Sequence, residues 1–315
     1  NPEYSGFFIM YLTLHIHNET DQLKSVILGI AQDQGPPPTL DNAYDPNSLM
    51  HLKAGSYPSE ADMIAEMEGL AEVFSRHGVE VFRPEVIPGC NQIFARDIAF
   101  VVEDKWVLSN ILPDRAAETD AIQYLIKQAD PACVIVPPEQ VHIEGGDVMP
   151  WNDYLFVGVY LKPDYKNKIT ARTNAAAVDF LAKLFPHKKV KAFELEKSNT
   201  DPYANALHLD CCFQPVGRDM ALIYPPGFTH PEDVAWIRSF FGPDRVFDIN
   251  KEELVMMGCN VFSISPSVVV SESRLGRINA WMRSMGLNVE EVSYKEIAKQ
   301  GGMLRCSTLP LHRIK

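Results

Sequence analysis

The sequence predicts an α/β protein built from five copies of a strand–strand–helix–strand unit. Two observations lead to this prediction. At five places, roughly 50 residues apart, an amphipathic helical segment stops at Gly or Pro and is followed at once by an apolar strand. In four units a pair of apolar runs joined by a polar or proline turn precedes the helix, which is typical of a hairpin. A doubly wound sheet is the alternative, but the chain has no Gly-rich phosphate-binding loop.

The first unit has one strand before its helix instead of two. This strand is Ser25–Ile30, and the proline-rich stretch Gly35–Pro38 separates it from the helix. Ser59 is suited to cap the helix, because a serine side chain accepts a hydrogen bond from the first turn. We expect the C-terminal run Cys306–Leu311 to supply the missing strand, so that the chain closes into a ring. The apolar face of the helix includes Met63, Met67, Leu70 and Phe74.

The remaining four units each open with a predicted hairpin. The residues between its two strands are polar or include proline, and such residues favour a turn. The four hairpins are Ile98–Val102 with Trp106–Leu108, Asp147–Met149 with Tyr154–Val157, Cys211–Val216 with Ala221–Tyr224, and Val261–Ile264 with Val268–Val270.

Every unit closes with a helix and one further strand. Pro231, in the fourth unit, stands where the first turn of a helix tolerates proline. The five junctions are His77-Gly78 before Val79–Phe82, Asp130-Pro131 before Cys133–Val136, Phe185-Pro186 before Val190–Phe193, Gly242-Pro243 before Val246–Ile249, and Met285-Gly286 before Val289–Val292.

The composition favours a globular protein that handles small molecules. A chain of 315 residues with 46% hydrophobic content can bury a large core. Its formal net charge of −12 argues against general binding of nucleic acid or anionic membranes, and it is compatible with cationic ligands. No apolar run approaches the ~20 residues of a membrane span, and no secretory signal is recognisable. We therefore expect a cytoplasmic protein.

We predict one catalytic domain over residues 10–315. Residues 1–9 precede Met10, and we interpret them as a leader or an upstream remnant. The six cysteines show no C-x-x-C spacing, so we expect reduced thiols and no zinc. No metal or organic cofactor is expected, and the sequence leaves open whether the chain forms a homo-oligomer.

Four short segments place ionisable side chains at the ends of predicted strands. In an extended strand alternate side chains share a face, so His208 and Asp210 are predicted to point the same way. Gly145 and Gly146 are predicted to leave room beside Glu144 for the close approach of a ligand. The four segments are Asn91–Asp97, Ile143–Asp147, His208–Asp210 and Gly301–Cys306.

A cysteine nucleophile is the sharpest hypothesis that these segments support. A thiol reacts as the thiolate, which a positive neighbour or a base favours, and Arg305 beside Cys306 with a histidine elsewhere in the chain fits that need. A metal site at Cys211 and Cys212 is rejected, because adjacent strand residues point to opposite faces and no further ligand cluster is present. Taken singly, such histidines, Gly-Gly pairs and cysteines are more often structural. Their joint presence favours a site.

In their order along the chain, these segments resemble the guanidino-group-modifying superfamily, which includes arginine deiminases, dimethylarginine hydrolases and amidinotransferases. The resemblance covers nearly the whole chain from about Leu23 and is greatest to arginine deiminases over Asn260–Val270 and Gly301–Leu311. It implies a five-bladed α/β propeller, the pentein fold, made of five ββαβ modules. Arginine deiminases usually carry an added helical subdomain, which this chain is too short to hold.

The resemblance also implies residue roles. Cys306 would be the nucleophile, His208 the general acid and base, and Glu144 the group that holds the guanidinium and the histidine. Asp97 and Asp210 would accept hydrogen bonds from the guanidinium nitrogens. The residues matched to the amino-acid end of the substrate are Asn91, Phe94, Arg115 and Arg172. An extra segment, Lys162–Lys168, lies just before Arg172.

The chemistry of a guanidinium agrees with this set of residues. Its five donors lie in one plane, so carboxylates can clamp it and fix its orientation for attack by sulfur. The leading hypothesis is a hydrolase of the deiminase type, since the residues around Cys306 resemble deiminases more than transferases. The closest alternative is an amidinotransferase, in which an amine replaces water. A non-catalytic sensor of guanidino compounds is the third, and it would not need the thiol.

Overall fold

A computed structural model describes residues 11–315 as a mixed α/β fold with five three-stranded sheets. The interpretation of residues 1–9 as a leader lies outside the described residues. The strands are β1 Gln22–Leu28, β2 Glu80–Phe82, β3 Ala99–Val102, β4 Lys105–Leu108, β5 Val134–Ile135, β6 Val148–Trp151, β7 Tyr154–Val159, β8 Lys189–Glu194, β9 Phe213–Val216, β10 Met220–Ile223, β11 Val246–Asp248, β12 Phe262–Ser265, β13 Val268–Glu272, β14 Asn288–Val292 and β15 Thr308–Ile314.

All five sheets share one plan. The middle strand pairs antiparallel with the first strand and parallel with the third, which is the strand that follows the helix. The prediction of five units is therefore confirmed, and so are its four hairpins. The strand orders are β15-β1-β2, β3-β4-β5, β6-β7-β8, β9-β10-β11 and β12-β13-β14.

The helices cover the sheets and also fill short connections. Ser59 caps α2 by accepting a hydrogen bond from the Asp62 N–H, and the predicted apolar face of this helix is buried. In the second unit most of the expected helix is a 3₁₀ segment, Pro113–Ile122. The α-helices are α1 Pro46–Lys53, α2 Glu60–Arg76, α3 Ala95–Ile98, α4 Gln123–Ile126, α5 Ala175–Leu184, α6 Pro231–Phe241, α7 Lys251–Val255, α8 Gly276–Ser284 and α9 Lys295–Ala298.

The first and the last strands pair with each other, as the sequence predicts. Val26 of β1 lies opposite Pro310 of β15 in an antiparallel ladder. The prediction that this strand begins at Cys306 was wrong, because β15 starts at Thr308. The Thr308 N–H bonds to the Arg305 carbonyl oxygen at 3.0 Å, and this turn holds Cys306 just ahead of the strand.

A segment that we call the N-terminal strap, residues 12–21, joins three of the five units. It bridges His312 on β15, Glu103 in the β3–β4 turn and Trp151 on β6. Its Glu19 is buried and binds the Arg305 guanidinium through both carboxylate oxygens, at 2.9 and 3.1 Å. Across the described residues, no helix is both long and apolar enough to cross a membrane.

Replacement of Glu19 by glutamine is expected to destabilise the fold. Burial alone would raise the pKa of Glu19, but the attraction of Arg305 and Arg96 outweighs it and lowers the pKa to about 2. Loss of the charge leaves buried cations without their partner, which typically costs about 3–5 kcal/mol. Urea denaturation of the variant at pH 7 measures this cost.

The same pair predicts a pH dependence with a definite sign. A carboxylate whose pKa is lower in the folded state than the ordinary value of 4.5 stabilises the fold above that pH. This contribution is lost as the pH falls from about 4.5 towards about 2. The difference in unfolding free energy between wild type and Glu19→Gln should therefore shrink in acid. The exposed Glu72→Gln is the control, and an equal loss of stability there contradicts the prediction.

Candidate active site

Polar side chains occupy the same place in all five units, and four of these five places fall in the ionisable segments predicted from the sequence. Each lies directly before the first strand of its unit, so the same type of connection presents a polar side chain five times. The residues concerned are Asp97 before β3, Glu144 before β6, His208 before β9, Asn260 before β12 and Cys306 before β15.

The connections themselves are helical turns and not extended strands. Leu209–Cys211 form a 3₁₀ turn, since the Cys211 N–H bonds to the His208 carbonyl oxygen at 3.1 Å. The prediction that His208 and Asp210 share one face of a strand was therefore wrong, and the two side chains bind different partners. The sequence-based rejection of a metal site at Cys211 and Cys212 also assumed an extended strand at these residues. Both thiols are buried, and within residues 11–315 neither belongs to a cluster suited to a metal ion.

His208 is held between two carboxylates. Its Nε2 lies 2.7 Å from Glu144 Oε2, and its Nδ1 lies 3.6 Å from Asp97 Oδ1. Burial favours the neutral imidazole, but the two carboxylates outweigh this effect and raise the pKa of His208. The side chain is thus suited to carry a proton near neutral pH.

The two glycines make room for the protein's own atoms. A side chain on Gly146 would begin 2.7 Å from the His208 ring, and one on Gly145 would begin 2.1 Å from the Arg96 carbonyl oxygen. The prediction that they admit the close approach of a ligand was wrong, because the imidazole and a neighbouring backbone already fill the space. Gly146 instead allows His208 to pack against the backbone beside Glu144, and Gly145 allows the Arg96 backbone to approach the same turn.

Cys306 is buried and points at two polar groups. Its Sγ lies 3.1 Å from Asn260 Nδ2 and 3.5 Å from Asp210 Oδ2. Burial and the Asp210 carboxylate raise the pKa of the Cys306 thiol well above its usual range. The thiol is therefore protonated at neutral pH when no cation is bound beside it.

Asn260 is a site residue that the sequence did not single out. Besides donating to the thiol, it accepts the Cys306 backbone N–H at 3.1 Å, so it fixes both the sulfur and the turn that carries it. The available signal was positional, because Asn260 precedes the first strand of the fifth unit as the other site residues do in theirs.

Arg305 does not have the predicted effect on the thiol. Its guanidinium binds Glu19 and, at 2.9 Å, Asp210, and it also donates to the Val148 carbonyl oxygen. The prediction that Arg305 favours the thiolate was wrong, because its charge is taken up by these carboxylates. Arg305 instead holds Asp210 in position next to Cys306.

Most of the predicted site residues meet at one cavity. It has a volume of about 480 Å³. Glu144 and Asp210 are not among its lining residues, and they support His208 and Cys306 from behind. The predicted residues that line it are Asn91, Phe94, Asp97, Arg115, Arg172, His208 and Cys306.

The two arginines of the cavity are already paired with acids. Arg115 donates to Glu118 through two nitrogens, at 2.7 and 2.8 Å, and to Asp97 at 2.9 Å. Arg172 binds Glu144 at 3.1 Å, and together with His208 it outweighs the effect of burial and holds the pKa of that carboxyl well below its usual range. Glu118 was not predicted from the sequence.

The remaining predicted residues shape the wall of the cavity. Asn91 donates to the Gln300 side chain at 2.7 Å, and the Phe94 ring packs against Gly302 so closely that a side chain there would begin 2.5 Å from it. Residues of the extra segment Lys162–Lys168 line a second cavity, of about 1070 Å³, which shares Arg172 with the first.

Asp97, Glu144 and His208 are the one group in residues 11–315 with the geometry to hold a metal ion, with ligand atoms within 4.8 Å of one another. Arg115 and Arg172 already neutralise its two carboxylates. An added cation would have to displace these guanidinium groups. The arrangement therefore suits a proton on His208 better than a metal.

Comparison with known proteins places the chain among the guanidino-group-modifying enzymes, as the sequence motifs predict. The model of the eukaryotic N,N-dimethylarginine dimethylhydrolase family matches residues 50–313, and the chain belongs to this family.

Two individual relatives match most of the chain. The chain is 28% identical to the uncharacterized protein YkgA of Bacillus subtilis over 78% of each chain. It is 25% identical to the N(G),N(G)-dimethylarginine dimethylaminohydrolase of Mycobacterium tuberculosis, over 88% of this chain and 84% of that enzyme.

Two solved structures share the fold. The N-terminal domain of ArgZ, a cyanobacterial arginine dihydrolase, has a TM-score of 0.75 at 18% identity and covers 93% of this chain and 98% of its own. SxtG, an amidinotransferase of Microseira wollei, has a TM-score of 0.75 at 16% identity and covers 96% and 98%. At these identities the likeness concerns the fold alone.

Proposed function

We propose that this enzyme hydrolyses the guanidino group of arginine or of an arginine-like compound, with Cys306 as a covalent nucleophile. One observation carries the proposal: Cys306 and His208 line the same cavity, and each has a buried carboxylate beside it. Asp210 accompanies the thiol and Glu144 the imidazole. This arrangement matches a cationic, planar substrate that needs both a nucleophile and a proton donor.

The guanidinium itself activates the nucleophile in this proposal. In the free site, burial and Asp210 hold the thiol in its protonated form. A guanidinium bound to Asp97 and Asp210 brings a positive charge next to the sulfur, which lowers the thiol pKa, so that the thiol proton passes to solvent and the thiolate forms. The carboxylates that bind the substrate therefore also ensure that the Cys306 thiolate forms when the substrate is bound.

In the first half-reaction the Cys306 sulfur forms a bond to the guanidinium carbon. The carbon–nitrogen bond to the leaving group then breaks, and His208 gives its proton to the departing nitrogen. The products of this step are ammonia or an amine and a thiouronium attached to Cys306. Glu144 and Asp97 stabilise the imidazolium before it transfers its proton.

In the second half-reaction water attacks the same carbon. His208, now neutral, takes one proton from this water. The carbon–sulfur bond then breaks, and the second proton of the water passes to the sulfur to regenerate the thiol. With arginine the balance is arginine plus water to citrulline plus ammonia. Asn91, Phe94, Arg115 and Arg172 are proposed to contact the amino-acid end of the substrate from the wall of the cavity, the arginines through N–H groups not used by their carboxylates.

We also infer that the five sheets close into one propeller domain over residues 10–315. Two observations support this ring. β15 pairs with β1 and also contacts β3 of the next unit, and the site residues of the five units come from equivalent connections. A ring brings such connections together at its centre, which is where the substrate would bind.

The test of the proposed reaction is a product assay without any acceptor amine. Arginine and methylated arginines are each incubated with the enzyme alone, and the products are identified by mass spectrometry. We expect a steady yield of a ureido product such as citrulline, because water reaches the thiouronium. Wild-type enzyme with Cys306 blocked by a thiol reagent is the control.

An amidinotransferase shares every residue named above and differs in what attacks the thiouronium. Such an enzyme must keep water out while it exchanges amines. No ureido product until glycine or ornithine is added would contradict the hydrolase and support this alternative. Binding without turnover under both conditions would support a sensor of guanidino compounds.

A further inference from the structure

We infer that Asp45 is a specificity residue that binds a second cationic group of the substrate, an ammonium, in addition to the guanidinium. This inference rests on the proposed function and narrows its substrate class. Asp45 lies in the connection between β1 and α1, in a part of the sequence for which only a proline-rich loop was predicted.

The Asp45 carboxylate is fixed at the wall of the cavity that also contains Cys306 and His208. Only 8% of the residue is exposed. Its Oδ1 accepts the Ser48 N–H at 2.8 Å, because Asp45 is the N-cap of α1. The same oxygen packs against Gly301, where a side chain would begin 2.5 Å away. The position of this oxygen is thus set before any ligand arrives.

Among the described residues, Asp45 differs from the other buried acids around the cavity because no positively charged side chain pairs with it. Within the part of the chain that the structure describes, Asp45 forms no ion pair, and the nearby Arg172 donates instead to the Tyr44 carbonyl oxygen. The other acids each bind an arginine: Asp97 and Glu118 bind Arg115, Glu144 binds Arg172, and Asp210 binds Arg305.

An unpaired buried carboxylate is costly unless a ligand supplies the missing charge. Burial accordingly raises the pKa of Asp45 to about 6, so the group is ionised above that pH and gains most from a bound cation. An ammonium satisfies it with charge-assisted hydrogen bonds. A carboxylate on the ligand would be repelled from the same position.

Neither the family nor the predicted contacts assign this position. Asp45 precedes residues 50–313, which the family model matches. The residues predicted to bind the far end of the substrate, Asn91, Phe94, Arg115 and Arg172, include no acid that could bind an ammonium. Asp45 supplies the missing acceptor.

Three guanidino compounds separate the charges at the far end. Arginine carries an ammonium and a carboxylate, agmatine carries an ammonium only, and 4-guanidinobutanoate carries a carboxylate only. If Asp45 binds the ammonium, the wild type should prefer the first two over the third. This preference among the three compounds should depend on the negative charge of the Asp45 side chain.

The experiment compares kcat/KM for the three compounds in the wild type and in Asp45→Asn. Asparagine caps a helix as well as aspartate, so the substitution removes the charge and keeps the N-cap. For arginine and agmatine we expect a loss of about 10- to 100-fold, the usual worth of a charge-assisted hydrogen bond. For 4-guanidinobutanoate we expect a change below about threefold. Asp41→Asn, an exposed change of the same kind nearby, should leave all three values unchanged.

Equal losses for all three compounds, or no loss for any, would overturn the role of Asp45. Calorimetry keeps this result separate from the proposed reaction. In Cys306→Ala, agmatine should bind more weakly once Asp45→Asn is added, while 4-guanidinobutanoate should not. If binding depends on Asp45 in this way but the wild type turns over none of the compounds, the proposed reaction is wrong and the role of Asp45 is supported. If the wild type turns over substrate but Asp45→Asn affects all three compounds equally, the role of Asp45 is wrong and the proposed reaction is supported.

Discussion

Cys306→Ala is expected to abolish turnover while the fold stays intact. The substitution removes the sulfur that is proposed to form the covalent bond, and loss of a nucleophile typically lowers kcat by about 10⁴-fold or more. The methyl group of alanine fits where the thiol lies, so the melting temperature should change little. Steady-state kinetics with arginine-like substrates and a thermal melt measure the two effects.

Two of the other buried cysteines provide matched controls. Cys211→Ala and Cys212→Ala remove thiols from the β9 side of the site, and both variants should retain much of the activity, because neither thiol lines the cavity. Turnover by the Cys306 variant, or a dead Cys211 variant with an intact fold, contradicts the assignment of the nucleophile.

His208→Ala is expected to slow turnover by about 10² to 10⁴-fold, the usual contribution of a general acid and base. The second half-reaction should suffer most, because water then has no base to take its proton. The thiouronium should therefore accumulate. Intact-protein mass spectrometry would detect it as a mass increase equal to the substrate minus its leaving amine.

His187 is the matched control for this variant. It also binds a glutamate, since its Nε2 lies 2.8 Å from Glu103, but its side chain is exposed and does not line the cavity. His187→Ala should turn over substrate as the wild type does. Normal turnover in His208→Ala, or an adduct that forms equally on Cys306→Ala, would exclude the proposed role of His208.

The five units were predictable because their signals are local. Each hairpin is marked by two apolar runs and a turn, and each third strand follows a Gly or Pro at the end of a helix, as at Met285-Gly286 before β14. The helix α1 was missed although Asp45-Pro46 is a good start signal, because the prolines just before it suggested a loop. The turn at Leu209–Cys211 was missed because a three-residue 3₁₀ segment has no period of its own.

Most of the residues that form the site were also predictable from the sequence, whereas the contacts between their side chains were not. Seven of the nine predicted residues line one cavity, and the other two stand behind it. What each side chain touches depends on distant parts of the chain, as when Glu19 takes the charge of Arg305. Asn260 and Asp45 were identified through their distances to Cys306 and to Gly301.

The pairing of β1 with β15 has a consequence for the order of events during synthesis. Residues 22–28 leave the ribosome early, but their antiparallel partner at residues 308–314 is made almost 300 residues later, directly after Cys306. Such late long-range pairing slows folding and leaves an early strand edge open in the meantime. A nascent chain therefore holds His208 and its acidic neighbours without Cys306, the proposed nucleophile. It acquires a complete centre only when its last strand docks.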